Sequence, residues 1–315
     1  MRILVAGATG AVGRALIPLL VDRGHTVGGL ARQPDCVAGM GATAIKADAL
    51  NREVVITAVR EFAPDVVVHQ LTSLPAATGL WRFDKAFEQT NRLRTVGTEI
   101  LLEAAHASRA RRLVAQSFCG WPYSRIGGPV KTEADALDPN PPAQLRTTLV
   151  ALKELEASVT SATSLAGTVL RYGSFYGPHT HLSPGSEMAQ QVRKRLFPII
   201  GEGNGVWSFI HIYDAAVATA LAAEAGPSGI YNVVDDEPAP VSSWLPELAA
   251  VMGARPPRRI PMWLAKLFLP EHLRIMMTEV RGASNNLFKS TFGWTPRFAS
   301  WRTGFHAEFG PGVGG

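Results

Sequence analysis

The chain has 315 residues and a formal net charge of +5, with 46% hydrophobic and only 18% charged side chains. That balance excludes a disordered or collagen-like chain, and the length suffices for one large domain, or one and a half, around a substantial core. The basic residues are scattered, and the densest group, Arg109, Arg111 and Arg112, falls where a helix pattern gives way to a strand pattern; this is ordinary helix-end placement, and no nucleic-acid partner is expected.

In chain order, residues 3–6 are a short apolar run suited to a buried parallel strand. The run passes straight into Gly7-Ala-Thr-Gly10-Ala-Val-Gly13-Arg14, three glycines spaced three apart, and then into a helical pattern over 15–23. Strand, glycine turn and helix in that order make a dinucleotide site. The glycines let the backbone turn tightly, approach a pyrophosphate and bring the helix against the sheet. The first N–H groups of that helix then face the phosphates, with the helix dipole adding attraction. Gly7, Thr9, Gly10, Ala11, Val12, Gly13 and Arg14 are assigned to the cofactor on this basis. Met1 enters the strand without an apolar leader, so no cleaved signal peptide is expected. Cys36 and Cys119 show neither metal-ligand spacing nor a disulfide framework, which agrees with a reducing cytoplasm.

Further strand patterns at 26–31, 42–47, 65–69, 112–117 and 168–171 alternate with helical ones, as in a Rossmann-like α/β fold with a doubly wound parallel sheet. Residues 127–142, rich in Gly and Pro, read as a long loop bordering an active site. Beyond Gly177-Pro178 the pattern changes: 206–212 and 229–234 look like strands returning to the main sheet, and residues after 238 are helical and rich in Pro, Trp and Met. The expected organisation is a dinucleotide-binding domain over 1–178, rejoined by 206–235, with 179–205 and 236–315 as a smaller substrate-capping region. The apolar stretch 262–277 is broken by Lys266, Pro270, Glu271, His272 and Arg274, too polar to span a bilayer. No membrane partner is expected; the protein reads as a monomer or homodimer acting on a small molecule.

The second strand ends Gly29-Leu30-Ala31-Arg32. A carboxylate there would accept from the ribose 2′-hydroxyl of NAD, whereas an Arg accommodates the 2′-phosphate of NADP. Arg32, with Arg14 beside the third glycine, therefore favours NADP(H) over NAD(H), the guanidinium clamping the phosphate.

The glycine spacing, Val67-Val-His69-Gln-Leu71, Asn91 followed by Val96-Gly-Thr98, Leu170-Arg171 to Tyr176-Gly177-Pro178, Ser208-Phe-Ile-His211-Ile-Tyr-Asp214 and Phe292-Gly-Trp294-Thr-Pro296 occur in a set order. Together they resemble the extended and atypical branches of the short-chain dehydrogenase/reductase family, the NAD-dependent epimerase/dehydratase group. The resemblance implies adenine contacts from Asp48 and Ala49, further cofactor contacts from Gln70 and Leu71, and a catalytic Tyr-x-x-x-Lys pair whose Lys holds the nicotinamide ribose. The matching stretch is Leu149-Val-Ala-Leu-Lys153: the Lys is present and the Tyr is not. Phe118 stands at the family's Ser or Thr position, with Ser117 one residue earlier, and a one-residue slip on a strand turns a side chain to the other face. Lys153 and Ser117 remain catalytic candidates, and Tyr123, Tyr172 and Tyr176 are candidate proton donors.

Thr72, Phe118, His179, His181, Trp207 and Met277 are the candidate substrate contacts. His179 and His181 lack a third partner, so no metal is expected. His69 and His211 sit in strand-like runs and read as structural. The stretch Thr278-Glu-Val-Arg281-Gly-Ala-Ser-Asn285 departs from the Arg-x-Gly-Asp-Pro segment of the sugar-nucleotide members. The expectation is an NADPH-dependent reductase of a ketone on a bulky, apolar and aromatic metabolite, similar to ketoreductases of the angucyclinone kind that act in antibiotic biosynthesis. Two rivals are a nucleotide-sugar epimerase or dehydratase with bound NAD, and an NADP-binding redox sensor without turnover.

Overall fold

The computed structural model describes residues 1–74 and 82–310. Seven strands form one sheet: β1 (Arg2–Ala6), β2 (Thr26–Ala31), β3 (Thr43–Lys46), β4 (Val66–His69), β5 (Arg112–Phe118), and the strands Ala166–Tyr172 and Gly229–Val233. The spatial order is β3-β2-β1-β4-β5, then 166–172, then 229–233 at the far edge. Every pairing is parallel.

Both faces are covered, which is why the strands read as continuous apolar runs instead of alternating. Ile3, Val5, Val68 and Val114 pack with helix α1 (Ala11–Asp22) and helix Ile212–Glu224 on one face. Leu4, Ala6, Val67, Leu113 and Ala115 pack on the other with helix α2 (Arg52–Phe62), helix Val96–Ala107 and helix Ala143–Thr160. A third apolar cluster lies outside the sheet and joins Tyr176, Phe209, Trp244, Trp301 and Phe305. The last residues of the expected capping region, 311–315, lie outside the described residues.

One expected strand goes elsewhere. Of the two segments thought to rejoin the sheet, 229–233 does so. In the other, Val206–Trp207 pairs antiparallel with Ala239–Pro240, and Phe209–His211 pairs parallel with Ser174–Tyr176. Its aromatic side chains explain this: Phe209 is buried in the third cluster with Trp207 packed against it, and 229–233 already fills the place beside 166–172.

Helix α1 begins at Ala11, four residues before the pattern suggested, because the turn leaves Gly10 extended as its N-cap. Gly7 has φ +92, and a Cβ on it would lie 2.5 Å from the Gln70 carbonyl oxygen. A Cβ on Gly13 would lie 2.5 Å from the oxygen of Gly7 and 2.6 Å from that of Ala8. Helix α1 thus touches the turn backbone to backbone, at a separation only glycine permits. Gly13→Val should lower stability by about 1–3 kcal/mol through overpacking, read as a drop in thermal midpoint, and weaken dinucleotide binding at least roughly tenfold.

Candidate cofactor and active site

Gly10 offers no side-chain cap and the first turn of α1 holds no acidic residue. Its opening N–H groups therefore face outward at the carboxyl end of β1, next to β4, where the chain reverses its direction of travel across the sheet. Such a crevice suits an anionic pyrophosphate. The glycine cradle and the uncapped turn fit a dinucleotide.

At the β2 end, Arg32 is exposed and makes no hydrogen bond or ion pair among the described residues. Arg14 folds back on the turn, its Nε donating to the Thr9 carbonyl at 2.9 Å. Asp48, exposed just beyond β3, accepts from the Leu50 N–H at 3.0 Å through Oδ1, and Ala49 beside it is buried.

At the β4 end, the Gln70 backbone runs against Gly7, while its side chain turns inward, Nε2 lying 3.4 Å from the Tyr172 hydroxyl. Leu71 and Thr72 follow, both half-buried. His69 bridges two groups: its Nδ1 accepts from the Leu71 N–H at 3.2 Å, and its Nε2 lies 3.0 Å from Thr98 Oγ1. Thr98 donates its own proton to the Arg94 carbonyl, so His69 donates from Nε2 and is neutral. Burial holds its pKa down at about 4, and the Arg94 charge adds to the effect.

The catalytic candidates are placed differently from what the sequence suggested. Ser117 lies on the face of β5 toward helix 143–160 and donates to Glu156 Oε1 at 2.7 Å, fully buried. Arg171 binds both oxygens of the same carboxylate, at 2.7 and 2.6 Å, and gives a third hydrogen bond to the Tyr123 hydroxyl at 3.1 Å. Tyr123 passes its proton to Asn232 Oδ1 at 2.7 Å. Ser117 and Tyr123 are thus members of one buried hydrogen-bond network.

Tyr172 lies 2.6 Å from Thr219 Oγ1, whose own proton goes to Ala215. Tyr176 is packed among His211, Phe209 and Phe305 with its hydroxyl against Gly304, so it belongs to the third core instead of the cofactor face. Burial raises the pKa of all three phenols. None is poised to release a proton.

Glu156 also sets the rotation of helix 143–160. With Glu156 on Arg171, the interior face carries Leu145, Thr148, Leu149, Leu152, Leu155 and Val159. Lys153 stands off this face, exposed and without a partner among the described residues.

The cation that is enclosed near the strand ends is one the motif reading passed over. Arg94, the last residue of helix Glu88–Arg94, is 6% exposed, and its charge acts on His69. Its Nη1 is 3.5 Å from Asn91 Oδ1, and Asn91 donates to Thr148 Oγ1 at 3.0 Å. Burial brings the Arg94 pKa down to about 10. A signal existed: Arg94, Gly97, Thr98 and Leu101 recur at helical spacing on one buried stripe, where a charged residue is anomalous.

Of the expected substrate contacts, Phe118 is half-buried at the end of β5, on the opposite face from Ser117. His179, with φ +64, and His181 are both exposed on the loop after 174–176. Trp207 donates from its indole to the Met276 carbonyl at 2.8 Å and packs on Trp244. Met277 is buried in the third cluster. Among the described residues no three His, Cys, Asp or Glu side chains are grouped to hold a metal, and no helix is long and apolar enough to cross a membrane.

Residues 3–233 match the family described as NAD dependent epimerase/dehydratase. The chain is 44% identical over 315 residues to a 3-diazoavenalumate denitrifying reductase from a Streptomyces species, covering 98% of this chain and 100% of that one. It is 29% identical over 265 residues to 2-alkyl-3-oxoalkanoate reductase of Stenotrophomonas maltophilia (strain K279a), covering 81% of this chain and 76% of the other. The solved structure of Thermus thermophilus UDP-glucose 4-epimerase with NAD superposes with a TM-score of 0.75 at 23% identity over 98% of each chain; at that identity the likeness is one of fold.

Because the Ser117 hydroxyl is held by Glu156, Ser117→Ala should leave kcat within about threefold and cost about 1 kcal/mol of stability. Glu156→Gln strands a buried guanidinium and should cost roughly 3–5 kcal/mol. Steady-state kinetics and thermal denaturation of the two variants check this. A kcat loss above about a hundredfold in Ser117→Ala would return the hydroxyl to the reacting centre.

Proposed function

The chain belongs to the NAD dependent epimerase/dehydratase family, as an NAD(P)-dependent oxidoreductase of the extended short-chain type, and on that premise we propose that it reduces an aryl diazo substrate at the expense of NADPH. One observation carries this reading: none of the hydroxyls considered as donors, on Ser117, Tyr123, Tyr172 and Tyr176, is open to a substrate. Leu149 and Phe118 stand where the resemblance places a phenol and a hydroxyl. The hydroxyls of Tyr123 and Tyr172 are engaged, and that of Tyr176 is shut into an apolar core.

Bound nicotinamide supplies hydride. A carbonyl that takes up hydride becomes an alkoxide and demands a proton. An arenediazonium does not: hydride brings the electron pair of the new C–H bond, the C–N bond breaks, and dinitrogen leaves with its pair. Atoms and charge balance with no proton from the protein. The Streptomyces relative supports this chemistry, since its name gives a diazo compound and loss of nitrogen. The protein's part is to position the substrate and exclude water, which can account for much of a hydride-transfer rate.

Ketone reduction on a bulky apolar metabolite is the second reading. The relative named for a 3-oxoalkanoate favours it, and an ordered water would then bring the proton. Sugar-nucleotide chemistry has less support, because the Arg281 guanidinium is turned onto the Arg125 carbonyl, at 3.1 Å from Nε and 2.6 Å from Nη2. NADPH is preferred to NADH because the free cation at the β2 end is Arg32 and no carboxylate accompanies it.

Purified protein with NADPH and a panel of aryl diazonium salts, ortho-diazoquinones and aryl ketones should oxidise cofactor above the protein-free rate and release dinitrogen with the diazo compounds. Consumption with ketones alone would install the second reading, and consumption with neither would leave a redox sensor. Arg32→Asp should reduce the NADPH-over-NADH preference at least roughly tenfold.

A further inference from the structure

Two arginines are buried beside the ends of the sheet strands, and the fold treats them in opposite ways. Arg171, 5% exposed, has both oxygens of Glu156. Arg94, 6% exposed, has no carboxylate within ion-pair distance among the described residues and one weak contact, the 3.5 Å approach to Asn91 Oδ1. Nor does the intervening stretch 75–81, Pro-Ala-Ala-Thr-Gly-Leu-Trp, contain an acidic residue. The neighbours supply no negative charge either: His69 is neutral, and the Asn91 amide is engaged with Thr148. A buried guanidinium without a counter-ion is strongly unfavourable and is retained where a ligand completes it.

The same helical path carries an aromatic wall. Phe87, Asn91 and Arg94 are spaced four and three residues apart, and the Asn91 N–H donates to the Phe87 carbonyl at 2.8 Å, so the three share one face. Phe87 stacks on Phe83 with centroids 4.0 Å apart at 11°, and Phe83 meets the edge of Trp121 at 6.0 Å. Phe87 and Trp121 are half-buried, with surface left for a further ring. A flat ring along this wall would have its polar end directed along the helix toward the guanidinium, whose fork matches a carboxylate.

We propose that Arg94 is the anchor for the carboxylate of an aromatic acid, making the substrate an aryl carboxylate held ring-first against Phe87 and Trp121. The proposal rests on the reading of this site as one for a flat aromatic substrate and adds to it a charge requirement. It leaves Lys153, which is exposed, to the cofactor and gives the substrate's charge to Arg94.

Calorimetric titration of the NADP-loaded protein with cinnamate and with its uncharged amide, cinnamamide, tests this without turnover. The acid should bind at least roughly tenfold tighter than the amide. Arg94→Met should weaken the acid by about ten- to a hundredfold and abolish the difference, with NADPH affinity within about twofold of the parent, and Arg94→Lys should keep part of the preference. Equal binding of acid and amide by the parent protein, or no binding of cinnamate, overturns the proposal, and this comparison needs no variant to fold. A variant that keeps the preference but loses NADPH affinity also overturns it and assigns Arg94 to the cofactor. Because only binding is read, a protein that selects the acid yet fails to release dinitrogen would retain this proposal and lose the diazo reading.

Discussion

The bidentate pair between Arg171 and Glu156 is the constraint on which the active-site end of the molecule depends. It ties strand 166–172 to helix 143–160 with both partners buried, and Ser117 of β5 and Tyr123 complete its hydrogen bonds. A buried ion pair contributes little net stability compared with apolar packing, but breaking one is expensive. Its effect here is on orientation. Helix 143–160 cannot rotate without stranding Arg171, so Thr148 and Leu152 face the interior and Lys153 does not. Two of the four hydroxyls that the sequence offered, those of Ser117 and Tyr123, are drawn into the same network.

The strand, glycine turn and first helix were legible in the sequence because their signals are local. Gly13 is required by backbone contacts within the turn, and Gly7 by its positive φ and by the adjoining end of β4. The parallel order followed from apolar runs that both faces of the sheet must cover. Segment 206–212 was misread because an apolar run does not say which sheet it will join. Phe209 was claimed by Trp244 and Phe305, contacts far apart in sequence.

The catalytic half was less legible because its features depend on tertiary partners. Which face of β5 carries Ser117 is decided by Glu156, thirty-nine residues later. Whether Tyr176 is a donor is decided by the helix that brings Gly304 against it. Arg94 belongs to no motif, and its signal in the sequence is a charge on an otherwise buried helical stripe. The resulting site has an intact dinucleotide cradle, an unneutralised cation beside an aromatic wall, and phenols withheld from proton transfer. That combination suits an acceptor whose reduction is complete when hydride arrives.

Under the proposed function, hydride transfer proceeds without a proton from the protein. Isotope effects on kcat/KM with a diazo substrate decide this, using NADPH deuterated at C4 and, separately, deuterated solvent. A primary effect from the cofactor and a solvent effect near unity are expected, since no proton is in flight at the transition state. A solvent effect of about two or more, accompanying the cofactor effect, would contradict it and place a proton donor in the site.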